Sequence, residues 1–151
     1  MSRRNARILA FQALYSWDVS KASVEDLLTF SWLQKQEKSE EESVEKNHEN
    51  PPVKDEQTFA GIIIAGTIER ISEIDRLIEE HLSATWSMER LNKVTLAILR
   101  TSIYEMKYLK GSEKGIVIDE AINISKQYGS DDSYKFINAV LDKIGKDEKK
   151  A

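Results

Sequence analysis

The sequence predicts an all-α domain of about seven helices, and three observations carry that expectation. Apolar residues recur at spacings of three and four over most of the 151-residue chain, which is the period of one helix face. Capping residues and glycines interrupt those runs where a helix would start or stop. The two β-branched stretches, 61–64 and 116–118, continue in helical register with no hairpin turn or matching strand beside them. With 40% hydrophobic residues, the chain can bury one ordinary core but not two. A single domain over 1–151 is therefore expected.

Taken in order, residues 4–18 place Ile8, Leu9, Ala10, Phe11, Ala13, Leu14, Tyr15 and Trp17 on all sides of a helix, as in a buried central one. Ser23 and Asp26 have the spacing of a capping box and open a short helix carrying Leu27, Leu28, Phe30 and Leu33. Residues 34–58 then contain both prolines, Pro51 and Pro52, two aliphatic residues and no aromatic. Such a composition cannot offset its ordering entropy by burial, so a mobile acidic insertion is expected at about 35–57.

Beyond it, Ile64, Ile68, Ile71, Ile74, Ile78 and Leu82 step by three or four, with Ser72 and Asp75 marking a break or restart. Leu96, Leu99, Ile103 and Met106 mark the next helix, and Val117, Ala121 and Ile124 the one after, ended by Gly129. A last helix starts around Ser130, Asp131 and Asp132, carries Phe136, Ile137, Val140, Leu141 and Ile144, and is expected to close at Gly145. Gly61 and Gly66, inside a helical stripe, are expected to let helices approach closely.

Several function classes are disfavoured. Without cysteine there is no thiolate nucleophile or Cys-based metal site, and an intracellular, cytoplasmic setting is expected. The two histidines, His48 and His81, lack metal-ligand spacing. No apolar run approaches the roughly 20 residues of a membrane span, and the first residues do not read as a signal peptide. Phosphate-cradling glycine loops, GxSxG and paired carboxylates are absent, so neither an enzyme nor a cofactor is expected. Arg100 and Glu105 lie inside an otherwise apolar helix and are expected to be a structural polar pair that ties helices together.

Charge is more informative. The chain has 22 basic and 26 acidic residues, a formal charge of −4. Residues 34–58 hold eight of the acids against four lysines, and removing them leaves 18 of each sign. Within the first 17 residues stand Arg3, Arg4 and Arg7 with no acid. They fall within about 100° of one another on a helical wheel, at a helix N-terminus where the dipole disfavours cations. Two readings remain open: a frayed basic terminus, or a phosphate-binding patch whose cost is repaid by counterion release.

The run QALYSW (12–17) directly after RRNAR, ILR with IYE close behind it, and IDEAINISKQYGSDDSYKFINAVLDK (118–143) together resemble the NusB family of bacterial transcription antitermination factors. The resemblance spans both ends and the middle of the chain. It implies a seven-helix fold and a partnership with NusE, a small-subunit ribosomal protein, on single-stranded boxA RNA of nascent transcripts, notably of ribosomal RNA operons. Through NusE it implies contact with RNA polymerase and other Nus factors, and some relatives form homodimers. Carried across by position, the RNA-binding residues would be Arg3, Arg4, Arg7, Gln12, Tyr15, Asp132 and Phe136. Where relatives carry an acidic-basic pair, this chain has Thr95 and Leu96. Two rivals stand beside this reading. One is an RNA cytosine methyltransferase, which the absence of cysteine and of a cofactor-binding domain disfavours. The other is a protein adaptor with no RNA affinity of its own.

Overall fold

The computed structural model describes residues 2–30, 32, 54–82, 87–130 and 132–149, the last three as backbone only. Among them are seven α-helices and no strand: α1 Arg3–Val19, α2 Val24–Thr29, α3 Lys54–Glu69, α4 Ile71–Glu80, α5 Lys93–Tyr108, α6 Lys114–Tyr128 and α7 Ser133–Lys149, with a 3-10 turn at Met88–Arg90. Both β-branched stretches are helical, in α3 and α6.

Helix starts follow local chemistry. Ser2 Oγ accepts from the Asn5 amide at 3.2 Å, and Ser23 Oγ from that of Asp26 at 3.1 Å, so the expected Ser23–Asp26 cap is present. Asn92 Oδ1 caps α5 through the amides of Val94 and Thr95. Helix ends depart more often from expectation. α2 stops at Thr29, because Phe30 turns into the left-handed region at φ 57°; burial of its ring in the core offsets the backbone cost. Leu33 lies outside the described residues. The restart expected near Ser72 falls at Arg70, between α3 and α4.

Gly145 does not close α7, which runs to Lys149. Its φ is not positive, so it never enters the left-handed cap conformation. It is instead buried against Lys114 and Met106, with Lys114 Nζ donating to its carbonyl.

α1 packs against α3 and α5, while α5 also meets α4, α6 and α7. The most completely buried helix is thus α5 rather than α1: eleven of its residues are buried, including Arg100 and Glu105. These two do not pair with each other. Arg100 Nε and Nη2 donate to Asp75 at 2.9 Å each, tying α5 to α4, and Nη1 lies 3.5 Å from Asp18 of α1. Gly66 leaves room where α3 crosses α5: a side-chain carbon there would strike the Tyr104 ring and force it to move. Gly61 is under no such constraint, meeting only Leu28 at van der Waals distance.

The insertion expected at about 35–57 ends earlier than its composition suggests. Residues 54–57 belong to α3, and Glu56 is buried, its Oε1 accepting from the Ser2 amide at 2.8 Å. Residues 35–53 lie outside the described residues.

Candidate nucleic-acid interface

The N-terminus of α1 carries three arginines and no acid of its own, and neighbouring helices supply the missing negative charge. Arg4 donates Nε and Nη2 to Glu120 of α6, both at 2.9 Å. Arg7 donates the same two groups to Glu105 of α5, at 2.8 and 2.6 Å, and Ser112 Oγ donates to the same carboxylate. Arg3 lies over the Phe59 ring of α3, 4.8 Å from its centroid. The three side chains therefore engage three different helices. With the Ser2 cap and Glu56 behind it, this is an anchored helix start rather than a frayed one.

Their exposure differs, and that decides what each can touch. The Arg4 side chain is 53% exposed and the Glu120 side chain 17%. For Arg7 and Glu105 the values are 11% and 2%. Arg3 and Arg4 can meet an external phosphate, whereas Arg7 is committed to the interior. Hydrogen bonding from Arg4, aided by the charges of Arg4 and Arg7, holds the Glu120 carboxyl below its ordinary range against the opposing effect of burial. The same pairing raises Arg4.

Further along α1, Gln12 and Tyr15 line an open groove of about 310 Å³ with Phe11, Ser16, Trp32, Val94 and Tyr128. Tyr128 is the last residue of α6 and packs on Phe11 at 5.3 Å between ring centroids. Trp32 is fixed by donation from Nε1 to the Leu27 carbonyl at 3.1 Å. Both Tyr15 and Tyr128 keep an exposed part, so the groove offers flat apolar surface beside the Gln12 amide. That combination suits unstacked bases, which present π faces and hydrogen-bonding edges.

The corner between α6 and α7 follows directly. Gly129 leaves α6 with its amide on the Ser125 carbonyl at 2.8 Å, and a side-chain carbon there would lie 2.7 Å from that oxygen. Asp132 stands just before α7, 82% exposed, with Lys135 at 3.6 Å; its carbonyl accepts from the Lys135 amide. Phe136, one turn on, packs against the core and does not line the groove. Asp131 lies outside the described residues. Thr95 and Leu96 are both buried, so neither can make a polar surface contact; the adjacent Val94 faces the groove.

Sequence reasoning did not single out Glu120, Trp32 or Tyr128. Tyr128 had a local signal, an aromatic between Lys126, Gln127 and a helix-ending glycine. Glu120 had none, since its partner is 116 residues away. Among the described residues no group of three acids or histidines could hold a metal ion, and no helix is long and apolar enough to cross a membrane.

An all-α domain that presents two exposed arginines and an aromatic groove along one helix has the equipment of a single-strand nucleic-acid binder. Residues 4–146 match the NusB family, and the chain belongs to it. It is 48% identical to the transcription antitermination protein NusB of Treponema denticola, over 95% of this chain and 96% of that one. NusB of T. maritima superposes with a TM-score of 0.76 at 33% identity, over 97% and 92% of the two chains. A crystal structure of the antitermination factors NusB and NusE in complex with dsRNA contains a chain matching at TM-score 0.73 and 31% identity, over 96% of each.

Proposed function

We propose that this chain is a transcription antitermination factor that binds the boxA element of nascent RNA together with NusE, and through NusE joins RNA polymerase and other Nus factors. The observation that carries this reading is the placement of exposed Arg3 and Arg4 on the helix whose next turns, at Gln12 and Tyr15, line the aromatic groove. One strand of RNA can then be held by phosphates at the arginines and by bases at the groove, which divides affinity from sequence readout. Asp132, just before α7, and Phe136, whose ring packs against the core, are the further candidates that the resemblance supplies; a carboxylate can accept from a base amine. The role in this reading is binding: the two acids beside the arginine cluster, Glu105 and Glu120, serve as counter-charges to Arg7 and Arg4.

Fluorescence anisotropy with boxA and scrambled RNAs of equal length, with and without NusE, tests this. Tighter binding to boxA, strengthened by NusE, is expected. Replacing Arg3 and Arg4 by Ala should flatten the log-log salt slope by about 0.7 to 1.4, at about 0.7 per full single-strand contact and less for Arg4, whose Nε edge Glu120 already occupies. Equal affinity for both RNAs with NusE present, or an unchanged slope, would leave the chain a protein adaptor.

A further inference from the structure

Two of the three arm arginines already hold an anion belonging to the protein. We propose that Glu120 is an intramolecular competitor for phosphate at Arg4, a resident counter-anion that holds down the sequence-independent part of RNA affinity. The inference rests on the RNA-binding reading above and adds to it a residue that sets its electrostatic strength.

Glu120 occupies the Nε and Nη2 edge of Arg4 in a two-pronged pair, the geometry a phosphate would itself use. The carboxylate is carried on α6 and is largely covered, so it cannot swing away into water as a surface acid would. Arg4 thus offers RNA only its outer donors, beside a fixed negative charge that repels phosphate over the distances salt leaves unscreened. Arg7 cannot take over, because Glu105 holds it in the interior. Of the three cations, Arg3 faces an aromatic ring instead of a carboxylate. Phosphate attraction is therefore limited at its source, and base contacts in the groove decide which RNA stays bound.

The test is a double-mutant cycle of Glu120→Gln and Arg4→Ala, read as affinity for boxA and scrambled RNA across a salt series. Glu120→Gln keeps the side-chain shape, and its melting temperature controls for folding. It should tighten both RNAs by similar factors, roughly two- to fivefold at low salt, and steepen the salt slope by a part of the roughly 0.7 that a full contact contributes. In the Arg4→Ala background both gains should vanish. Unchanged or weaker binding by Glu120→Gln would overturn the inference and make Glu120 a positioning residue for Arg4. So would a gain of equal size without Arg4, which would be a long-range charge effect. Failure of the unmodified chain to bind either RNA, alone or with NusE, would instead overturn the functional reading, and this inference with it.

Discussion

Arg4 and Arg7 lie one turn apart on α1 and make the same two-pronged contact, yet burial gives them different work. Truncating Arg7 to Ala leaves the covered Glu105 carboxylate without its counter-charge, so a loss of about 3 to 5 kcal/mol in urea unfolding is expected. Replacing both Arg7 and Glu105 by apolar residues of similar volume should recover much of that loss. Arg4→Ala removes a pair whose arginine is half exposed, so it should lower stability only modestly, far less than Arg7→Ala, and act mainly on RNA affinity. Asp132 provides the opposite sign. Asp132 is exposed and pairs with the likewise exposed Lys135, so Asp132→Asn should alter stability by less than about 0.5 kcal/mol. Removing its exposed charge should tighten boxA and scrambled RNA alike at low salt, an effect lost at high salt. Weakening confined to boxA would instead mark a base hydrogen bond, and no change on either RNA would take Asp132 out of the interface.

At the scale of elements, the clasp between α1 and α6 has a pH signature. The folded-state pKa of Glu120 is depressed, chiefly by the Arg4 hydrogen bonds. Its contribution to stability is therefore present above the unfolded-state pKa and lost as pH falls through the lower, folded-state one. An NMR titration should find Glu120 ionising below the ordinary glutamate range, and Arg4→Ala should move it upward. A Glu120 that titrates normally with Arg4 in place would mean the pair does not persist in solution. The α6–α7 corner rests on space rather than backbone freedom: at Gly129 φ is −93°, but an added carbon would press on the Ser125 carbonyl. Gly129→Ala should cost about 1 to 3 kcal/mol by overpacking and, by shifting Tyr128, weaken binding of bases in the groove more than phosphate attraction. Thermal unfolding and the boxA-to-scrambled affinity ratio read the two effects separately.

For the whole molecule, the apolar framework and the polar insertion are separable. Replacing residues 35–53 by a short Gly-Ser bridge should leave the melting temperature within a few degrees, because their composition supplies no core residue. Extending the deletion through 57 removes Glu56 from the Ser2 amide and the first turn of α3, and should lower it clearly; circular dichroism melts distinguish the two. Helix order, the Ser23 cap and the core positions from Leu9 to Ile144 could be read locally, because period and capping act between residues three or four apart. So could the candidacy of Arg3, Arg4, Gln12 and Tyr15, through residue type and resemblance. The fate of each arginine could not be read this way. Whether Arg7 faces RNA or the interior depends on Glu105, 98 residues away, and the reach of Arg4 depends on Glu120 at 116. The sequence by itself determined an all-α chain with a basic helix start. Only the tertiary structure decided which of those charges stay open to a phosphate, because burial and pairing follow from which helices pack together.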